Sequence, residues 1–72
     1  MNFDYRDLLG KIISVYGTRS AFARKMKISK QLLRKKLLPD GKWSNEEICR
    51  AVELLNISDS FEIDRLFFTK KD

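Results

Sequence analysis

The chain of 72 residues contains no histidine, one cysteine and one proline. Without histidine, the common zinc-ligand sets and every histidine-dependent catalytic triad are excluded, and a single cysteine cannot form an internal disulfide. No apolar run approaches the ~20 residues of a membrane span, and the amino terminus lacks a basic region followed by an apolar stretch. We therefore expect a protein of a reducing cytoplasm that is neither an enzyme nor bound to a membrane.

The length and the spacing of apolar residues predict the fold class. A chain this short has room for one domain with a radius of gyration of roughly 11 Å, and 43% hydrophobic residues can supply its core. Apolar residues recur at intervals of three and four, which is typical of amphipathic helices. We predict a single all-α domain over residues 1–72, compact and built from five helices. It has little volume for a substrate cleft, so we expect no cofactor, no metal and no small-molecule substrate.

Positive charge is concentrated in one third of the chain. The formal net charge is +5, but the segment from Arg19 to Lys42 holds nine bases against Asp40 alone and is net +8. The remainder is net −3, and residues 43–64 hold six acids against Arg50. A charge run by itself usually indicates a solvated helix face, so its meaning depends on the structure that carries it.

The first helix is predicted from its end signals. Asp4 is placed to cap it, with Phe3 and Leu8 at the spacing of a hydrophobic staple. Gly17 suits the left-handed position that ends a helix. The residues predicted to face the core are Leu8, Leu9, Ile12, Ile13 and Tyr16.

Two more helices follow, separated by a short break. Thr18 is a predicted cap for a helix that runs to about Met26, and Ser29 for one that runs to about Leu37, with a break at residues 27–28. The residues predicted to face the core are Phe22, Ala23, Met26, Leu33 and Leu37.

A turn at residues 38–41 leads into the second half, and we expect Gly41 to take a positive φ there. Ser44 and Glu47 predict a capping box at the start of a fourth helix that runs to about Leu55. Its predicted buried stripe is Ile48, Ala51, Val52 and Leu55, with Cys49 as a small buried side chain at the margin.

A fifth helix is predicted after a cap at Ser58 or Asp59, followed by a frayed tail at residues 70–72. Its core residues are expected to be Ile63, Leu66 and Phe67. Two interpretations remain open for the phenylalanines of this region, which could pack in the core or form a protein interface. These residues are Phe61, Phe67 and Phe68.

The second and third helices have the length and spacing of a helix-turn-helix at residues 18–37, and they carry most of the basic segment. In that motif the second helix enters the major groove, while the first meets the phosphate backbone. With Leu33 and Leu37 facing inward, the outward side chains of the third helix are the predicted base contacts. These are Lys30, Gln31, Leu32, Arg34 and Lys35.

Side-chain chemistry suggests what these residues would read. Gln31 can recognise adenine with its paired donor and acceptor, a lysine can donate to guanine, and Leu32 can contact a thymine methyl. Phosphate contacts fix register without reading sequence. The residues predicted to make them are Thr18, Arg19, Ser20, Arg24, Lys27, Ser29 and Lys42.

The segment TRSAFARKMKISKQLLRKKL at residues 18–37 resembles the helix-turn-helix of phage repressor and Cro-like proteins. The positions that match the caps, core residues and turn hydrophobe of that family are Thr18, Phe22, Ala23, Met26, Ile28, Ser29 and Leu33. The opening MNFDYRDLLGKI and residues 16–18, 43–55 and 66–68 look like the small Cro-like phage proteins that include the modulator of repression (MOR) family. The resemblance covers nearly the whole chain.

This resemblance implies a lambda-repressor-like domain in the cytoplasm of a bacterial host. It implies a transcriptional regulator of the lysis-lysogeny switch that binds operator DNA, favours lytic genes and forms a complex with a CI-type repressor. Because operators present two half-sites, a homodimer or a partner is expected. The alternative is an antirepressor that acts only by protein contact. The candidate residues for such an interface are Leu32, Glu46, Glu47, Phe67 and Phe68.

Two residues depart from the family's pattern. Lys27 stands where the family usually has glycine, and at a positive φ it would cost on the order of 1 kcal/mol, so we expect a slightly different turn. Leu32 is apolar at a site that is usually small or polar. It could contact a thymine, anchor a protein interface or be exposed without a role.

Overall fold

Five α-helices form the regular structure in a computed structural model that describes residues 2–71. They are α1 (Arg6–Tyr16), α2 (Arg19–Met26), α3 (Lys30–Lys36), α4 (Asn45–Leu54) and α5 (Ser60–Phe67). The prediction of a five-helix, all-α fold is confirmed. Over the described residues the single β contact is an isolated antiparallel bridge between Phe3 and Lys70, and none of the five helices is long and apolar enough to cross a membrane.

The predicted caps are present at four helix starts, including Ser29 at α3. Thr18 accepts the N–H of Ala21 at the start of α2, and Asp59 accepts the N–H of Phe61 at the start of α5. At α4 the capping box is complete, because Ser44 Oγ accepts the N–H of Glu47 at 3.1 Å and Glu47 Oε1 accepts the N–H of Ser44 at 2.8 Å. These side chains fix where the helices begin.

The start of α1 differs from the prediction. Its N-cap residue is Tyr5, which makes no side-chain cap bond. Asp4 lies one residue earlier, and its Oδ1 accepts the N–H of Arg6 at 3.0 Å. The Tyr5 ring is buried instead, and its hydroxyl donates to the carbonyl of Gly41 at 3.1 Å.

The buried core draws on all five helices, but unequally. Helix α3 contributes only Leu33, whereas α5 contributes Leu66 and Phe67. Two predictions are wrong, since Ile13 is 42% exposed and Cys49 lies on the exposed face of α4. The buried side chains are Tyr5, Leu8, Ile12, Phe22, Ala23, Met26, Leu33, Ala51, Leu55, Ile57, Leu66 and Phe67.

The loop after α3 passes very close to that helix. The left-handed conformation expected of Gly41 is absent, whereas Gly17 has it at φ 83°. A Cβ at Gly41 would lie 2.2 Å from the carbonyl oxygen of Lys36. Glycine is therefore needed here for close approach of two backbones and not for an unusual dihedral.

The predicted fraying of the tail is wrong for Lys70 and Lys71, while Asp72 lies outside the described residues. The N–H of Lys71 donates to the carbonyl of Asn2 at 3.1 Å, and the segment at residues 2–4 bonds back to residues 69–71. The two ends of the described chain are thus paired.

Candidate nucleic-acid interface

The connection between α2 and α3 is a three-residue turn at residues 27–29. Lys27 takes the left-handed conformation at φ 63° and ψ 39°, and its N–H donates to the carbonyl of Arg24 at 3.1 Å. The N–H of Ile28 donates to the carbonyl of Ala23 at 3.1 Å. The expectation that a lysine here would change the turn is wrong, because the backbone keeps the left-handed position that glycine favours.

Helix α3 is positioned by its cap and by one core side chain. Ser29 Oγ accepts the N–H of Leu32 at 3.0 Å, and Leu33 is completely buried. Leu37, predicted to face the core, is the C-cap residue and is half-buried. The burial of Leu33 turns the opposite side of α3 to solvent.

One further residue that sequence reasoning missed holds the turn. The Arg50 guanidinium on α4 donates to the carbonyl of Met26 at 3.2 Å. This bond occupies one carbonyl at the C-terminal end of α2, where four carbonyls lack partners within a helix. The one sequence feature that marks Arg50 is that it is the only base in the acidic stretch at residues 43–64.

All five predicted base-contact residues on α3 are exposed. Leu32 is 40% exposed, and a surface cleft of about 550 Å³ lies between α3 and the start of α2. Three of the five residues line that cleft together with Arg19 from α2. They are Lys30, Gln31 and Arg34.

The predicted phosphate contacts are mostly on the same surface. The hydroxyls of Thr18 and Ser29 already accept capping hydrogen bonds, although both residues are exposed. Ser20 is half-buried. The four basic side chains of this set are exposed, namely Arg19, Arg24, Lys27 and Lys42.

The basic segment is almost free of compensating carboxylates. Among residues 2–71, the only one of its nine bases with a carboxylate oxygen within 4.0 Å is Lys36, whose Nζ lies 2.7 Å from Glu47 Oε2. The eight others have no such ion pair in the part of the chain described. We call the exposed surface of α2, α3 and Lys42 the cationic face.

Lys36 instead fastens the end of α3 to the start of α4. Its Nζ donates to the carbonyl of Lys42 at 3.0 Å and lies 5.7 Å from the centre of the Trp43 ring. Trp43 Nε1 donates to the carbonyl of Lys36 at 3.1 Å. Partial burial raises the pKa of Glu47, but hydrogen bonds from Lys36 and Ser44 and the charge of Lys36 outweigh it, so the pKa is lowered.

Two of the five candidate protein-interface residues are not freely exposed. Phe67 is only 2% exposed and belongs to the core, and Glu47 is half-buried and bonded to Ser44 and Lys36. Phe68 is 48% exposed, and Leu32 and Glu46 are also exposed. Core packing of Phe61 is also wrong, since this side chain is 82% exposed.

Comparisons with known proteins identify a family and a similar solved structure. Residues 1–70 match the family described as "Protein of unknown function (DUF739)". The solution structure of the modulator of repression (MOR) of the temperate bacteriophage TP901-1 from Lactococcus lactis is similar, with a TM-score of 0.77 and 37% sequence identity. The match covers 94% of this chain and 90% of that chain. No curated protein sequence matches.

Proposed function

We propose that this chain has a regulatory role in a bacteriophage and exerts it by binding duplex DNA. The chain belongs to the DUF739 family and to the family of phage modulators of repression. In this proposal α2 and α3 form a helix-turn-helix, and the ligand is operator DNA of a lysis-lysogeny switch. The name of the TP901-1 protein, a modulator of repression, supports a role in such a switch. Its regulatory character also argues against an enzyme.

The observation that carries the proposal is the uncompensated charge of the cationic face. Cations without carboxylate partners attract a polyanion, and duplex DNA offers a dense row of phosphates. Arg19 shares a cleft with Gln31 and Arg34, and Lys42 shares another with Lys35, so both could contact the phosphate backbone beside α3, as in a helix-turn-helix. Gln31 and Lys35 on α3 would then read base edges in the major groove.

A titration of duplex DNA from the switch region at several salt concentrations tests this role. We expect a slope of log affinity against log salt of roughly −3 to −5, set by the phosphates contacted per chain. The double substitution Gln31→Ala and Lys35→Ala should weaken binding to that duplex more than to an unrelated one. Absent or salt-insensitive binding would contradict the proposal.

A second function, an antirepressor that binds a CI-type repressor, is favoured by a separate observation. Leu32 is 40% exposed and Leu38 is 49% exposed, and both line one shallow cleft beside Lys35. Exposed apolar side chains among cations suit a protein surface better than a phosphate backbone. The exposed acids of α4, such as Glu46, could face the basic surface of a repressor.

Co-purification with a CI-type phage repressor separates the two functions. Protein contact alone predicts that the complex survives Gln31→Ala with Lys35→Ala and is lost on Leu32→Asp or Glu46→Lys. Gel shifts with each protein alone and with both would then show whether this chain removes the repressor from DNA or binds beside it. A complex insensitive to Leu32→Asp and Glu46→Lys would contradict this use of the surface.

A further inference from the structure

The tail of the described chain has a fixed position next to the end of α3. Lys70 pairs with Phe3 in the antiparallel bridge, and the N–H of Asp4 donates to the carbonyl of Thr69 at 2.7 Å. On the other side, the N–H of Phe3 donates to the carbonyl of Pro39 at 2.9 Å, in the loop that follows α3. Terminal residues usually fray, but here residues 2–4 lie between the tail and the loop after α3 and bond to both, which fixes the position of the tail.

This corner of the molecule holds three of the six cations that lie outside the segment at residues 19–42. Arg6, Lys70 and Lys71 are all exposed there. Among residues 2–71 the one acid ion-paired there is Asp4, which contacts Arg6 at 2.7 Å. Asp4 lines the same cleft as Lys70 and Lys71, and its pKa is lowered chiefly by its hydrogen bonds with Arg6 and to a lesser degree by the charge of Lys71. Among residues 2–71, three cations against this one carboxylate leave the corner positive.

The corner is continuous with the end of α3. A surface cleft of about 650 Å³ is lined by Arg6, Lys70 and Lys71 together with Leu37, the C-cap of α3, and Pro39. A second cleft, on the α3 side of the loop at residues 38–42, is lined by Lys35 and Lys42. Basic side chains therefore lie on both sides of this loop.

We propose that Lys70 and Lys71 form a second phosphate-binding site for duplex DNA, which extends the footprint beyond α2 and α3. The proposal rests on the proposed DNA-binding function and deepens it. Because backbone hydrogen bonds already hold both lysines in place, binding phosphate there orders only their side chains, which limits the entropy lost. Such contacts carry no base specificity and set register and affinity.

The test is fluorescence anisotropy of a labelled short duplex of arbitrary sequence, because phosphate contacts do not depend on sequence. The variants are Lys70→Ala and Lys71→Ala, each titrated at several salt concentrations. The control is Lys11→Ala, which removes the same charge from α1, where Lys11 lies 3.5 Å from Glu62. Each tail variant should reduce the magnitude of the salt slope by about 0.9 and weaken binding roughly fivefold at low salt. The control should do neither.

The outcomes separate this inference from the function on which it rests. Binding that depends on Arg34→Ala but is the same in the tail variants and in Lys11→Ala overturns the second site and leaves the proposed function intact. A wild-type protein that does not bind the duplex at all overturns both. Both lysines are exposed and lie outside the helices, so circular dichroism should give the same melting curve for every variant.

Discussion

Two surfaces of the protein carry cations in opposite ways. On the face shared by α1 and α5, Lys11 lies 3.5 Å from Glu62, and Arg65 lies 3.2 Å from Asp7 and 3.3 Å from Glu62. On the cationic face, among the residues described, no base except Lys36 has such a partner. The difference shows that it is uncompensated charge, and not charge itself, that distinguishes a surface suited to a polyanion.

The concentration of positive charge on the cationic face does not stabilise the fold. Lys30 and Arg34 stand four residues apart on α3, and like charges at that spacing destabilise a helix by roughly 0.2–0.5 kcal/mol. Acids at some of these positions would relieve the repulsion, as they do on α1 and α5. A ligand that supplies the missing negative charge accounts for the pattern.

The two regions also differ in how they are anchored, and the largest expected effect tests that difference. Because α3 has Leu33 as its one buried side chain, Leu33→Ala should lower the free energy of unfolding by about 2–5 kcal/mol. The adjacent, exposed Leu32→Ala should change it by less than about 0.5 kcal/mol. Urea denaturation of both variants measures this. Equal losses would mean that α3 is not held through Leu33.

The next prediction contrasts the two surfaces directly. Removing Arg34 and Lys35 together should weaken DNA binding at least about tenfold, or about 1.4 kcal/mol, because both lack ion-pair partners in residues 2–71. Removing Lys11 and Arg65 together should change affinity less than about twofold, since their charges are already compensated. Anisotropy titrations at one salt concentration suffice. Equal losses of affinity would show that only the net charge of the protein matters, and not whether a cation has an ion-pair partner.

Local features were predictable because their causes are adjacent in the sequence. The caps at Thr18, Ser29 and Ser44 each need only the residues that follow within one turn, and all are confirmed. The family resemblance is confirmed by the 37% sequence identity to the TP901-1 modulator of repression. The outward side of α3 was predicted from Leu33 and Leu37, of which Leu33 is buried and Leu37 half-buried.

The features that were missed depend on what the folded chain brings together. Gly41 is needed because the backbone passes against Lys36, and no rule of turn residues contains that contact. Nothing in the sequence distinguishes Lys36 from Lys35, yet the folded chain brings Glu47 to Lys36 and, among residues 2–71, leaves Lys35 without an ion-pair partner. Phe61 and Phe67 are equally apolar, and only the rotation of α5 exposes the first and buries the second.

A smaller effect concerns the one compensated cation of α3. The pKa of Glu47 is lower in the folded protein than its ordinary value of 4.5, so its stabilising contribution is present at neutral pH and is lost as the pH falls below that value. Glu47→Gln should therefore cost about 1 kcal/mol at pH 7 and less in acid. The exposed neighbour Glu46→Gln is the control. Unfolding measured at pH 7 and pH 3 tests this, and a cost that does not depend on pH would exclude the ionised Glu47 as its source.

The smallest expected effect compares two left-handed residues, one on the cationic face and one outside it. Lys27 follows α2 at φ 63° and Asn56 follows α4 at φ 55°. Asparagine tolerates this conformation better than lysine, whereas glycine takes it without strain. Glycine also has greater freedom in the unfolded chain, which offsets part of the gain. Lys27→Gly should therefore stabilise the fold by about 0.5 kcal/mol, and Asn56→Gly should be close to neutral.

The same Lys27→Gly variant should bind DNA with a salt slope smaller in magnitude by about 0.9, because one phosphate contact is lost. A more stable protein with an unchanged slope would show that Lys27 closes the turn without contacting DNA.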